Sequence, residues 1–124
     1  MPVTLVNGTH DGVTLLVTAG IHGGEYPGIE AAIRFAAGLE PIEVSGQVIL
    51  MPLVSPEAFH ARVQYVLPSD GKNVNRQFPG RALGTASERI AYTVVSEVAR
   101  QTDAWIDLRG GDIHEALDLV FQQV

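Results

Sequence analysis

Apolar positions along the chain fall into blocks whose spacing changes, and the blocks predict its elements. Val3 to Val6 is a short β-rich run closed by the turn pair Asn7-Gly8. Val13 to Val17 is an apolar run that reads as a buried strand. Beyond it the period lengthens. Ile29, Ala32, Ile33, Ala36 and Ala37 recur at helical spacing, which predicts a helix over Ile29 to Leu39 with Gly38 near its end. Val44 to Leu53 holds a second strongly apolar strand, Val48 to Leu53. Residues 54 to 82 have no period and are rich in Pro, Gly, Asn and Arg, and a loop of that length is uncommon unless it has a function. Ser87 to Arg100 reads as a second helix with Ile90, Val94, Val95 and Val98 on one side. Ala104 to Leu108 reads as a third buried strand, closed by Arg109-Gly110-Gly111-Asp112, and the apolar stretch Ala116 to Phe121 opens another. Strands alternating with helices predict an α/β sheet with helices on its faces. Such sheets bind ligands beyond the carboxyl ends of their strands. His22 follows one strand and Arg109 another, so their loops are expected to meet at one edge of the sheet.

Composition narrows the class. A chain of 124 residues with 46% hydrophobic and 18% charged residues is one globular domain by length. Its net charge of -6 argues against nucleic acid or an anionic membrane as partner, since both require clustered Lys and Arg. Cysteine is absent from the sequence, which removes disulfides and thiolate metal sites. No apolar run approaches the roughly 20 residues that span a bilayer, and the N-terminus lacks the pattern of a signal peptide. The expectation is a soluble cytoplasmic protein.

Candidate chemistry lies in three places. In Thr18-Ala19-Gly20-Ile21-His22-Gly23-Gly24-Glu25 an imidazole and a carboxylate stand three residues apart in a glycine-rich turn after a strand. That can present two ligands of a zinc ion, which in catalytic sites takes three protein ligands and leaves a fourth position open. The plainer reading is a loop histidine beside a helix N-terminus that Glu25 complements. In Asp70-Gly71-Lys72-Asn73-Val74-Asn75-Arg76-Gln77-Phe78-Pro79-Gly80 the turn composition has a conformational explanation. Its functional reading is a carboxylate clamp, with the fork of Arg76 and a donor from Asn75. In Asp107-Leu108-Arg109-Gly110-Gly111-Asp112, Asp107 is placed to orient a ligand, whereas Arg109 keeps its proton and offers zinc no lone pair. His10, His60 and His114 read as ordinary histidines, and only His114 lies near the third strand end, as a weak candidate ligand.

In combination these segments resemble the succinylglutamate desuccinylase/aspartoacylase family of the zinc carboxypeptidase clan. The resemblance is carried by Ala19-Gly20-Ile21-His22-Gly23-Gly24-Glu25-Tyr26-Pro27-Gly28-Ile29-Glu30-Ala31-Ala32, by Pro56-Glu57-Ala58-Phe59, by Asp70 to Gly80 and by Ile106 to Asp112. It implies a three-layer α/β sandwich with a mixed, mostly parallel sheet. It also implies a zinc-dependent deacylase acting on N-acylated amino acids or similar carboxylate-bearing small molecules. Zinc would be held by residues matching His22 and Glu25, with a histidine after the third strand. Asn75 and Arg76 match the pair that binds a substrate carboxylate. A further arginine polarises the scissile carbonyl, and a glutamate further along acts as general base.

The chain departs from that pattern in named places. Arg109 stands where the third ligand belongs, which puts zinc in question. Gln64, before Tyr65, stands where the carbonyl-polarising arginine belongs, with Arg62 close by but offset. Ser55 replaces an asparagine common before the proline. None of Glu57, Glu88 or Glu115 matches the general base, which is expected beyond Val124, so residues 1–124 read as a single, incomplete catalytic domain. An incomplete domain is expected to self-associate or to pair with another chain. The alternative function is a catalytically inactive relative in which Arg109 replaces the metal and the domain binds a carboxylate or a partner.

Overall fold

A computed structural model describes residues 1–114 of the chain. Four strands form one sheet: β1 (Thr4–Asn7), β2 (His10–Ala19), β3 (Ser45–Met51) and β4 (Ala104–Leu108), in the order β1-β3-β2-β4. β2 runs parallel to both β3 and β4, and β1 is antiparallel to β3. The sheet is therefore mixed and mostly parallel, as expected. No hydrogen-bonded turn forms at Asn7-Gly8: Asn7 ends β1, the chain bends at Thr9, and the Gly8 N–H donates to the Gly46 carbonyl at 2.8 Å, so β1 and β2 are not partners.

Helices cover both faces. α1 (Tyr26–Gly38) begins three residues earlier than the apolar period suggests, with Pro27 in its first turn, where a missing N–H costs nothing. Its buried side is Gly28, Ile29 and Ala32, and Ala36 and Leu39 pack with Val6, Val17, Val44, Val48 and Leu50. Ile33, expected on that side, is 49% exposed. On the opposite face Leu16, Met51, Val54, Leu67, Val74 and Val94 form the larger core. α3 (Ala86–Tyr92) continues through a π-type turn over Thr93–Val98 and a 3-10 turn over Ala99–Gln101, matching the expected second helix. The alternation of strand side chains explains the division: Val48 and Leu50 face α1, while Ile49 and Met51 face α3.

Two expectations change. The segment 54–82 is not loop throughout, since α2 occupies Pro56–Ala61 and a 3-10 turn occupies Val74–Arg76. A helix of six residues is too short to show a period, and Pro56 at its first turn is its one local signal. β4 exists but is not buried: it lies at the sheet edge among the described residues, with Trp105 40% and Ile106 48% exposed. The predicted strand Ala116 to Phe121 lies outside the described residues. Among the described residues no helix is long and apolar enough to cross a membrane.

The long connection is pinned to α3 by charge. Asp70 accepts from the Ser87 N–H and hydroxyl at 2.8 Å each and from the Lys72 N–H at 3.1 Å. Burial pushes its carboxyl up, but these bonds outweigh it and hold the pKa at about 2. Glu88, buried in the first turn of α3, accepts from the Thr85 N–H at 2.8 Å, from Arg81 at 2.8 Å and from Lys72 at 3.3 Å. The Thr85 hydrogen bond and then Arg81 are the main causes that hold it at about 2.

Two predictions follow from the packing and the charges. Leu16→Ala, at a site with 0% exposure, lowers stability by about 2–5 kcal/mol in urea denaturation. Asp70 and Glu88 both ionise more readily in the folded chain than unfolded, so stability is full above about pH 4.5 and falls as pH drops toward about 2. Glu88→Gln is expected to flatten part of that fall when thermal midpoints are measured against pH; an unchanged slope would count against these contacts of Glu88.

Candidate functional site

The site forms where β2 and β4 end. Their parallel register pairs Thr18 with Asp107 and Ala19 with Leu108, so His22 and Arg109 leave the sheet side by side. Gly20, at φ +65, turns the chain off β2 in a conformation that suits glycine. Ser55, buried, then holds the turn: its hydroxyl donates to the Ile21 carbonyl at 2.8 Å and its N–H to the Gly20 carbonyl at 2.9 Å. Gly23 lies against the backbone of Ala58 and Phe59 so closely that a Cβ would overlap it. The turn is thereby wedged between β2 and α2, and His22 and Glu25 are both buried.

His22 and Glu25 converge. His22 Nδ1 and Glu25 Oε1 lie 2.9 Å apart. The other ring nitrogen, Nε2, lies 3.0 Å from Asn73 Oδ1. That oxygen also accepts from the Asn75 N–H at 2.9 Å, which fixes it as the acceptor and makes Nε2–H the donor. Nδ1, on the other side of the ring, faces both Glu25 and Arg109. Arg109 Nη2 fills the position that both groups face, 3.2 Å from His22 Nδ1 and 3.4 Å from Glu25 Oε1. Its Nη1 donates to Asp107 Oδ2 at 3.2 Å. Asp107 is oriented in turn by Thr18, whose hydroxyl donates to Oδ1 at 2.6 Å and accepts from the Trp105 indole N–H at 2.9 Å. Burial pushes the Asp107 carboxyl above the usual carboxylate range; the Thr18 bond and the Arg109 charge oppose the rise, and the Glu25 charge adds to it. Tyr65 closes the cluster, its ring edge-to-face with His22 at 5.3 Å.

Negative charge still exceeds what Arg109 satisfies. Glu25 Oε2 and Asp112 Oδ2 are buried without a hydrogen-bond partner. Asp112 presses against Gly24, where a Cβ would overlap its Oδ1. An imidazole nitrogen and a carboxylate, as in His22 and Glu25, are two groups of the kind that ligate a divalent ion. The third donor is missing. Among the described residues no group of three His, Asp or Glu side chains is placed to hold a metal. A guanidinium is fixed at the convergence point instead, and its charge opposes a dication there. The residues present do not fit a three-ligand zinc.

The remaining candidates are dispersed. Asn75 and Arg76 lie on the 3-10 turn that Asn73 ties to His22, with Arg76 exposed. Arg62 caps α2, exposed, on another side of the turn, where it lines a groove with Tyr26 and Phe59. His114 is exposed after Asp112. Glu57 accepts from the Ser69 N–H and hydroxyl at 2.6 and 2.9 Å, so it staples a loop, and Glu88 is committed to its ion pairs. Glu115 lies outside the described residues. Asn73, Thr18 and Tyr65 were not singled out from the sequence. Asn73 sits in the quoted turn motif, but nothing local distinguishes it from Asn75 as the partner of a histidine 51 positions away.

A mixed, mostly parallel sheet with helices on both faces carries the His22–Glu25 turn at the end of its internal strand β2. The sequence profile of the succinylglutamate desuccinylase/aspartoacylase catalytic domain matches residues 11–116, and the chain belongs to that family. It is 36% identical over 120 residues to the N-alpha-acetyl-L-2,4-diaminobutyric acid deacetylase of Halomonas elongata, covering 97% of this chain and 34% of the relative. A succinylglutamate desuccinylase/aspartoacylase from Rhodobacter sphaeroides superposes with a TM-score of 0.84 at 36% identity, over 90% of this chain and 33% of the other. The product-bound ectoine utilization protein EutE (DoeB) from Ruegeria pomeroyi gives 0.81 at 34% identity, over 89% and 33%. A metallo-carboxypeptidase from Pseudomonas aeruginosa, at 21% identity and a TM-score of 0.64 over 87% and 31%, shares the fold. The chain thus spans about a third of the length of the relatives it matches.

Because the turn has no room at Gly23, Gly23→Ala is expected to lower stability by about 1–3 kcal/mol or more. A denaturant midpoint equal to that of the parent chain would show that the turn is free to shift.

Proposed function

We propose that the domain recognises the carboxylate of a small N-acylated amino acid with fixed positive charge and without bound zinc. The observation that carries this reading is the single guanidinium nitrogen of Arg109 facing both His22 Nδ1 and Glu25 Oε1 at 3.2 and 3.4 Å. Zinc would require both of those groups and a third donor, and Arg109 would have to leave a position where it is 17% exposed and held by Asp107. An arginine paired with carboxylates supplies part of the electrostatic role of a cation, with no Lewis acidity. Arg76 is exposed and makes no ion pair among the described residues, so its fork is available to a ligand carboxylate, with Asn75 beside it. The substrate class rests on family membership and on the named substrate of the Halomonas elongata relative.

A second reading, zinc-dependent deacylation, is favoured by one observation. The buried, partnerless Glu25 Oε2 is an unused donor beside His22. That reading requires a third ligand, from His114 or a neighbouring chain, and displacement of Arg109.

Elemental analysis after equilibration with trace zinc and dialysis separates the two. Far less than one zinc per folded chain is expected, and Arg109→His is expected to raise the zinc content. Near-stoichiometric zinc in the parent chain would overturn the metal-free reading. Calorimetric titration of an N-acetylated amino acid, with a chelator present, is expected to show binding that Arg76→Ala weakens roughly tenfold or more. Equal affinity in that variant would remove Arg76 from the site.

A further inference from the structure

A concavity outside the His22–Glu25–Arg109 cluster shares no lining residue with it. It is an open groove of about 770 Å³ between the first turns of α1 and the end of α2, within the size range of small-molecule sites. Its walls are apolar: Tyr26, Ile33, Phe59 and Ile113 face it. Tyr26 and Phe59 are fixed edge-to-face at 5.7 Å, so the aromatic wall is ordered by packing. Ile33 is 49% exposed and Tyr26 40%, although the helix period assigns Ile33 to the buried side.

The rim of this groove is cationic. Arg62 ends α2 with φ 54 and ψ 41, a left-handed backbone uncommon for a residue with a side chain. Its N–H closes the helix on the Phe59 carbonyl at 3.1 Å. Arg62 makes no ion pair among the described residues. The one carboxylate in the lining, Glu30, is engaged by Arg34 at 2.7 Å. His60 lies next to Arg62 on the same rim. An apolar trough with an unpaired guanidinium at its edge is complementary to a molecule with an apolar body and one carboxylate.

We infer that this groove is a second small-molecule site, which takes an amphiphilic carboxylate with its aromatic or branched body against Tyr26, Phe59 and Ile33 and its carboxylate on Arg62. The site is independent of the Arg76 and Arg109 region, and it holds whether or not the proposed function does.

The probe is 3-phenylpropionate, compared with its uncharged amide, titrated calorimetrically into the full chain. Saturable binding of the acid is expected, with the amide weaker by roughly tenfold. Arg62→Gln is expected to bring the acid down to the level of the amide, and Ile33→Glu to remove binding of both. Arg76→Ala is expected to change neither. Equal affinity for acid and amide would overturn the inference. So would binding that Arg76→Ala abolishes and Arg62→Gln leaves intact, since that assigns the carboxylate to the other site. Absence of saturable binding up to millimolar concentrations would overturn it as well. Self-association that Ile33→Glu abolishes, with no probe binding, would assign the groove to a second copy of the chain.

Discussion

Parallel pairing of β2 with both of its neighbours is the constraint from which the site follows. A parallel neighbour delivers its carboxyl end to the same edge as β2, so the residues after β2 and β4 emerge together. The Thr18–Asp107 and Ala19–Leu108 pairs set the distance. Thr18 bonds to Asp107 across the strands, Asp107 holds Arg109, and Arg109 reaches back over the next turn to His22 and Glu25. The site inherits its geometry from the sheet register, one hydrogen bond at a time. A slip of one residue in β4 would turn Asp107 to the other face of the sheet and break the chain of contacts.

Electrostatics explains why an arginine is tolerated there. Glu25, Asp107 and Asp112 bring three carboxylates to the edge, and burial makes uncompensated negative charge costly. A cation is required, and Arg109 supplies one. Its planar fork spreads a single charge over Glu25 and Asp107 but leaves Glu25 Oε2 and Asp112 Oδ2 unmatched. Membership of a deacylase family and the presence of this guanidinium are therefore compatible. The fold is that of the family and two potential donors converge, while a three-ligand metal would need a third donor that the described residues do not provide.

The long connection between β3 and α3 shows a second way of building rigidity. It buries Val54, Leu67 and Val74 in the core, and between them it is fixed by Asp70, Glu57 and Glu88 accepting backbone and side-chain hydrogen bonds. This arrangement lets the segment carry exposed polar groups such as Arg76 while Asn73 stays within 3.0 Å of His22.

Local signals were enough for most of the elements. The apolar runs marked all four strands, and helical spacing marked α1 and α3, because these depend on side-chain period along a short stretch. The His22–Glu25 pair was legible too, since three residues of turn set its separation. The short α2 left too few apolar positions to show a period. The exposure of β4 and Ile33 depends on what packs above them, which no local pattern contains. The strand order β1-β3-β2-β4, the bond from Asn73 to His22 and the reach of Arg109 across 87 positions were decided by the tertiary structure alone. The sequence determined which residues are candidates for the chemistry and the ends of the elements they follow. Which of them touch was settled by sheet register and helix packing, because contacts between distant segments arise only when a shared core brings their backbones together.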